Sequence, residues 1–146
     1  MNLGRAMIFE MLTAEHVVKM GPLVDIHAGF DLTPGIALDL EALGGMAAVR
    51  DNGEVIAIAG ILPRWNGVGL AWAWLSLGWR RHARAITEKI IETLDDSDLH
   101  RVELAVKCGF DRGGAWAERL GFELETPCAV AWGPNGENFS IYRRIR

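Results

Sequence analysis

Hydrophobic and polar positions along this chain switch several times between a two-residue and a helical period. The run from Gly69 to Leu77, GLAWAWLSL, is too short and too aromatic for an independent helix and predicts a buried strand. A basic turn follows, and the pattern then becomes helical through ITEKIIETL to Leu94. Upstream, Ala6 to Leu12 predicts a short strand, and Thr13 supplies an N-cap for AEHVVKM, with Glu15 and His16 in its first turn. Gly21 and Pro22 end that helix. Pro22 can open another, PLVDIHAGF, in which Leu23, Ile26, His27 and Phe30 share a face. His27 is there an acid–base candidate, although a histidine so placed is more often a hydrogen-bonded core or rim residue. Thr33 and Pro34 repeat the signal before IALDLEAL, a helix ending at Gly44 and Gly45; a strand is the alternative, since Ile36, Leu38 and Leu40 alternate.

Met46 to Arg50, the turn Asp51-Asn52-Gly53, and Glu54 to Leu62 form the clearest hairpin signal, closed by Pro63. Arg64-Trp65-Asn66-Gly67 then turns the chain into the Gly69–Leu77 strand as a third antiparallel member. Beyond the acidic loop Asp95-Asp96-Ser97-Asp98, Arg101 to Val106 predicts a strand, and two strands joined through a helix mark a parallel crossover. Asp111 can cap a second helix, GGAWAERL, stopping at Gly121. Phe122 to Trp132 and Phe139 to Arg144 complete a hairpin across Gly133-Pro134-Asn135-Gly136. The sum is an α/β (α+β) architecture: a mixed, mostly antiparallel sheet with one central parallel crossover and helices on both faces.

Composition narrows this picture. A chain of 146 residues, half of them hydrophobic, is expected to form a single domain, 1–146. The formal charge of -4 argues against coating nucleic acid. Acidity is local: Asp25, Asp31, Asp39 and Glu41 lie early, and Asp95, Asp96 and Asp98 follow the central helix. Cys108 and Cys128 lack disulfide-framework or metal-site spacing, so free thiols and no metal are expected. No window approaches the apolar length of a membrane span, which leads to the expectation of a cytoplasmic protein without membrane partners.

Chemistry concentrates where the central helix begins. Arg80, Arg81, His82 and Arg84 sit at the end of a helix dipole that ordinarily disfavours cations. Either this is a solvated basic turn, or guanidinium groups and unpaired backbone N–H groups form a phosphate site. Trp72 and Trp74 share a strand face and suit a core. Trp65 and Trp132, beside turns, suit an exposed acceptor or partner surface.

Element order and residues together resemble the GNAT superfamily of acyl-CoA-dependent N-acyltransferases. The family motif Gln/Arg-x-x-Gly-x-Gly/Ala corresponds to Arg80-Arg81-His82-Ala83-Arg84-Ala85, with Ala83 in place of the central glycine. AWAERLGFEL matches the aromatic-rich helix ending in Gly-Phe, here Gly121 and Phe122. The resemblance covers most of the chain from Met46 onward. It implies acetyl-CoA as cofactor, with Arg80, Arg81, His82, Ala83, Arg84 and Ala85 at the pyrophosphate, and backbone of Trp74, Leu75, Ser76 and Leu77 along the pantetheine. It also implies acetyl transfer to an amine acceptor, a small molecule or a protein, by direct attack.

Departures from the family bear on catalysis. Ala117 stands where many members place an acidic tyrosine, and Cys108-Gly109-Phe110 replaces a frequent asparagine. Tyr142 lies in the last strand and is not assigned that role. Glu103, His82 and Glu54 remain as candidate bases, with Glu103 and His82 foremost, and proximity alone can supply much of the rate. More narrowly, WRRHARA, AERLGFEL and GENFSIYRR resemble GNAT-like proteins of short-tailed bacteriophages, some of them internal virion proteins. That resemblance implies a second reading: a virion-associated or host-interaction protein keeping the fold with little activity, located in the virion or host cytoplasm. The C-terminal hairpin is compatible with a homodimer.

Overall fold

The computed structural model describes residues 7–20, 24–26 and 34–146. They fall into two compact units, one holding residues 7–20, 24–26, 34–61 and 73–86, the other 62–72 and 87–146.

In the first unit, β1 (Met7–Met11) pairs antiparallel with β3 (Met46–Arg50), from Met7 opposite Arg50 to Met11 opposite Met46. Helix α1 (Ala14–Met20) starts with a reciprocal cap: Thr13 Oγ1 accepts the His16 N–H at 3.3 Å, and His16 Nδ1 accepts the Thr13 N–H at 3.0 Å. Histidine here takes the part usually played by Glu or Gln. Because Nδ1 is the acceptor, Nε2 carries the proton, and it donates to Glu10 at 2.9 Å. Helix α2 (Pro34–Leu43) is the helical alternative for IALDLEAL, and it buries Ala37 and Leu40 while α1 buries Val17 and Met20. Gly44, at φ +87°, ends it in the left-handed region that favours glycine.

The β3 hairpin closes as its sequence predicts. Gly53 takes φ +86° and donates its N–H to the Arg50 carbonyl at 2.9 Å, while Asn52 Oδ1 accepts the Glu54 N–H at 3.0 Å. Strand β4 (Val55–Trp65), however, runs on through Pro63 rather than stopping there. Its pairing with β3 ends at Ala59, so the later residues lack a β3 neighbour whose ladder a proline would interrupt.

Strand β2 (Val24–Ile26) corrects the helix expected over PLVDIHAGF. It pairs antiparallel with β5 (Val68–Ser76), Val24 opposite Ser76 and Ile26 opposite Leu75. An unpaired stretch of β5 edge offers backbone hydrogen bonds that a nearby β-branched segment can use, and this outweighs a weak helical period. Gly21, Pro22, His27, Phe30, Asp31 and Thr33 lie outside the described residues.

In the second unit, β5 pairs in parallel with β6 (Arg101–Lys107), Val68 opposite Arg101 through Ala71 opposite Leu104. Helix α3 (Ala83–Asp96) is the crossover between them. Helix α4 (Asp111–Arg119) has Phe110, not Asp111, at its N-cap with no side-chain cap bond; Asp111 is the first helical residue, where its charge suits the dipole. Gly121, at φ +94°, ends α4, its N–H bonding the Glu118 carbonyl at 3.0 Å. β7 (Glu123–Ala129) and β8 (Phe139–Ile145) form the final hairpin, with β8 also antiparallel to β6. Trp132 falls beyond β7 in the connecting loop and leans on Phe139, ring centroids 5.2 Å apart.

The strand order is β1-β3-β4-β5-β6-β8-β7, with β2 paired to β5, so β5–β6 is the parallel pair in a mostly antiparallel sheet, as the sequence predicts. Trp72 and Trp74 are buried, whereas Trp65 is exposed under a cation–π contact from Arg64 at 5.5 Å. Among the described residues no helix is long and apolar enough to cross a membrane.

Replacing Gly53 by alanine should cost about 1–2 kcal/mol, because the turn demands a left-handed residue and nothing crowds the added carbon. Urea unfolding of Gly53→Ala would show a lower midpoint at unchanged slope.

Candidate cofactor-binding site

The residues expected to hold a cofactor form one continuous path in the first unit. Trp74, Leu75 and Ser76 end β5 and are buried. Leu77 is not part of the strand: it opens a 3-10 helix, Leu77–His82, and is 76% exposed. The short helix runs directly into α3, so the basic turn is itself helical. The Ala83 N–H is already bonded to the Arg80 carbonyl, and Ala83 sits at φ -56°, ψ -41°. Ordinary right-handed backbone needs no glycine, which explains why alanine is accommodated at the central motif position. It also means that the cations, rather than the Ala83 amide, are what this turn presents.

Arg80, Arg81, Arg84 and Ala85 are exposed and His82 is half-buried. Arg80 and Arg81 make no ion pair with another described residue. Just before them, Ser76 Oγ is buried and among the described residues has no hydrogen-bond partner, an arrangement that costs about 1–3 kcal/mol unless something else supplies the bond. Orphaned hydroxyl and exposed guanidinium groups therefore lie at successive points of one strand–turn–helix. On the strand itself, the backbone at Leu75 and Ser76 is engaged by β2.

Of the candidate bases, Glu54 pairs with Arg50 at 2.8 Å across the β3–β4 turn. Glu103 lies in the second unit, on β6, where it accepts from Arg101 Nε at 3.2 Å and Nη2 at 3.0 Å. Arg101 also bonds Glu125 on β7, and Glu125 accepts from Arg143 of β8 at 3.3 Å. Strand pairing places Glu103 opposite Arg143, so the alternating charges bridge neighbouring strands. The hydrogen bond from Arg101 holds the Glu125 carboxyl below its ordinary value, and the bond to Glu125 correspondingly raises Arg101. Sequence reasoning singled out Glu103 without its partners, because Arg101, Glu125 and Arg143 meet it only through strand register. Cys108 and Cys128 are both free, and among the described residues no group of three or more His, Cys, Asp or Glu could hold a metal ion.

No family model matches the chain, and no curated protein matches it in sequence. Solved structures do match in fold. An N-acetyltransferase from Staphylococcus aureus Mu50 superposes with a TM-score of 0.78 at 12% identity, covering 96% of this chain and 97% of its own. The ribosomal-protein-S18-alanine N-acetyltransferase from Escherichia coli gives 0.74 at 16% identity, over 96% of this chain and 94% of its own. A GNAT superfamily phosphinothricin acetyltransferase from Sinorhizobium meliloti, solved in complex with AcCoA, gives 0.74 at 15% identity, over 95% and 88%. The chain has the GNAT acyl-CoA N-acyltransferase fold.

The depressed Glu125 carboxyl makes a stability contribution that is present above the ordinary carboxylate value of 4.5 and is lost as pH falls through the lower folded value. Glu125→Gln should therefore be less stable than the parent at neutral pH, and the gap should narrow as pH drops below about 4.5; thermal melts across that range read it.

Proposed function

We propose that this chain is an acyl-CoA-dependent N-acyltransferase, acetyl-CoA being the donor and a primary amine the acceptor. The observation that carries this reading is the strand–turn–helix itself: an orphaned buried hydroxyl at Ser76, followed by a turn that exposes Arg80 and Arg81. The GNAT fold of the chain, shared with solved N-acetyltransferases, supports it.

The residues fit such a donor. Arg80, Arg81 and Arg84 present guanidinium groups suited to phosphate oxygens, with His82 among them, and charge-assisted bonds of this kind are about twice as strong as neutral ones. Ser76 Oγ can supply a hydrogen bond to a carbonyl or amide of the arm, and β5 backbone from Trp74 to Ser76 can pair with its amides. When bound, acyl-CoA would supply a thioester carbonyl open to attack by a neutral amine, with the coenzyme A thiol as the leaving group. The chain's part is orientation, which can contribute much of the rate without a dedicated acid. Glu103 is proposed as the group that takes the proton the amine gives up, while His82, among the phosphate-facing cations, is proposed to help hold the donor. Glu103 would act while holding Arg101, so Glu103→Gln should lower both turnover and stability, whereas His82→Ala should weaken acetyl-CoA binding alone.

Calorimetric titration of acetyl-CoA tests the reading. Binding by the parent that weakens about 10–100-fold in an Arg80→Ala, Arg81→Ala, Arg84→Ala variant supports it, a change equivalent to about 1–3 kcal/mol of charge-assisted hydrogen bonding. Absence of binding by a folded parent overturns it in favour of a binding protein that retains the fold. A second readout follows from β2. An arm pairing with β5 at Leu75 and Ser76 takes the edge that β2 holds, so acetyl-CoA should accelerate amide hydrogen exchange at Val24–Ile26.

A further inference from the structure

The chain's two cysteines are separated in sequence by α4 and the first part of β7, yet the sheet brings both to the same end of β8. Lys107 of β6 and Ala129 of β7 pair with Phe139 from opposite sides of β8, and each adjoins a cysteine. In a regular sheet, residues so placed stand about 9–10 Å apart, too far for a bond between their sulfurs. Two irregularities depart from that spacing. From Thr126 to Ala129, β7 takes three residue steps where β8 takes two, from Ile141 to Phe139, so Pro127 and Cys128 sit in a bulge. On the other side β6 ends at Lys107, and Cys108 begins the turn that follows, its N–H bonded to the Asn138 carbonyl at 3.0 Å.

Cys108 Sγ lies 3.7 Å from the Pro127 carbonyl oxygen and 3.7 Å from Ser140 Oγ, and Ser140 Oγ donates to the same carbonyl at 2.8 Å. That carbonyl belongs to the peptide bond that leads into Cys128. In a trans peptide the oxygen is about 2.8 Å from the following Cα, so Cys108 Sγ is within about 6.5 Å of the Cα that carries the second thiol. Burial first, and then a hydrogen bond with the Cys108 thiol, raise the pKa of Cys128, as expected of two thiols in contact. Two sulfurs do not complete a metal site, and among the described residues no third His, Cys, Asp or Glu joins them. What such a pair can do is bond to itself.

We propose that Cys108 and Cys128 are a reversible dithiol–disulfide pair, closed by exchange with a low-molecular-weight disulfide. Cys128, the exposed member, loses its proton and attacks one sulfur of the reagent; a small thiolate leaves, and Cys128 carries a mixed disulfide. Cys108 then loses its proton and attacks the Cys128 sulfur, displacing the second small thiolate. The reagent is reduced to two small thiols, which take up the two protons, and the protein's two thiols are oxidised to one disulfide. The bond ties the end of β6 to β7 across β8 and encloses α4 in the closed loop. It uses no residue of Ser76–Ala85 and stands whether or not the chain transfers acyl groups.

The full chain, reduced and then equilibrated in mixtures of reduced and oxidised glutathione, tests this by intact mass and peptide mapping under non-reducing conditions. The parent should lose two hydrogens, yield a peptide pair linked through Cys108 and Cys128, and hold at least about tenfold more internal disulfide than glutathione adduct, because the second thiol is already beside the first. Dithiothreitol should reverse the change. The oxidised chain should melt about 5–10 °C above the reduced one, since the closed loop restricts the unfolded state. Cys108→Ser should instead stop at a glutathione adduct on Cys128, with no such rise in melting. If that variant loses its fold, Cys128→Ser, at an exposed position, provides the comparison and should show neither internal disulfide nor rise. A parent that stays as the glutathione adduct, links two chains, or resists oxidation while folded would overturn the proposal.

Discussion

Parallel pairing between β5 and β6 constrains the rest of the chain. Antiparallel neighbours can be joined by a tight turn, as β3 and β4 are around Gly53, but Val68–Ala71 and Arg101–Leu104 run the same way. The chain must return to the starting end between them, and α3 with its 3-10 prelude is that return. The cation-bearing turn is thus a consequence of the pairing. A helix has to begin right after Ser76, and Arg80, Arg81 and Arg84 fall where its 3-10 turn passes into α3.

What sits at that point is unusual in its charge rather than in its backbone. Helix starts favour anions, and this one presents exposed Arg80, Arg81 and Arg84. Regular 3-10 and α-helical geometry commits the Ala83 amide to Arg80 and makes glycine unnecessary there. The chain has moved the means of holding an anion from backbone to side chains. Guanidinium groups reach further than amides and tolerate a Cβ in the turn.

Electrostatics in the second unit follows a different logic. Arg101, Glu103, Glu125 and Arg143 alternate in sign across neighbouring strands, each carboxylate with a guanidinium within bonding distance. Such an array favours strand register as much as stability, because a one-residue slip would turn every member to the opposite face. Glu103 serves that array whatever else it does. Tyr142 lies on the same strand as Arg143 but turns the other way, its hydroxyl against Gly114 of α4.

Local chemistry was legible in the chain by itself. The Thr13 cap, the Asp51-Asn52-Gly53 turn, the end of α4 at Gly121 and the buried aromatic strand all depend on neighbours a few residues apart, and each lies where the sequence predicts it. So does the parallel crossover, because strand–helix–strand spacing allows little else. Tertiary structure decided what depends on partners distant in sequence. Val24–Ile26 became a strand because β5 had an edge to offer, and Pro63 stayed inside β4 because β3 had already ended. Glu103 acquired Arg101 and its network through register, and the two glycines of α4 are required only because Phe110, Val106 and Tyr142 came to pack against them. Periodicity and caps report a residue's own backbone preference; pairing edges, ion-pair partners and voids are set by what the fold brings alongside.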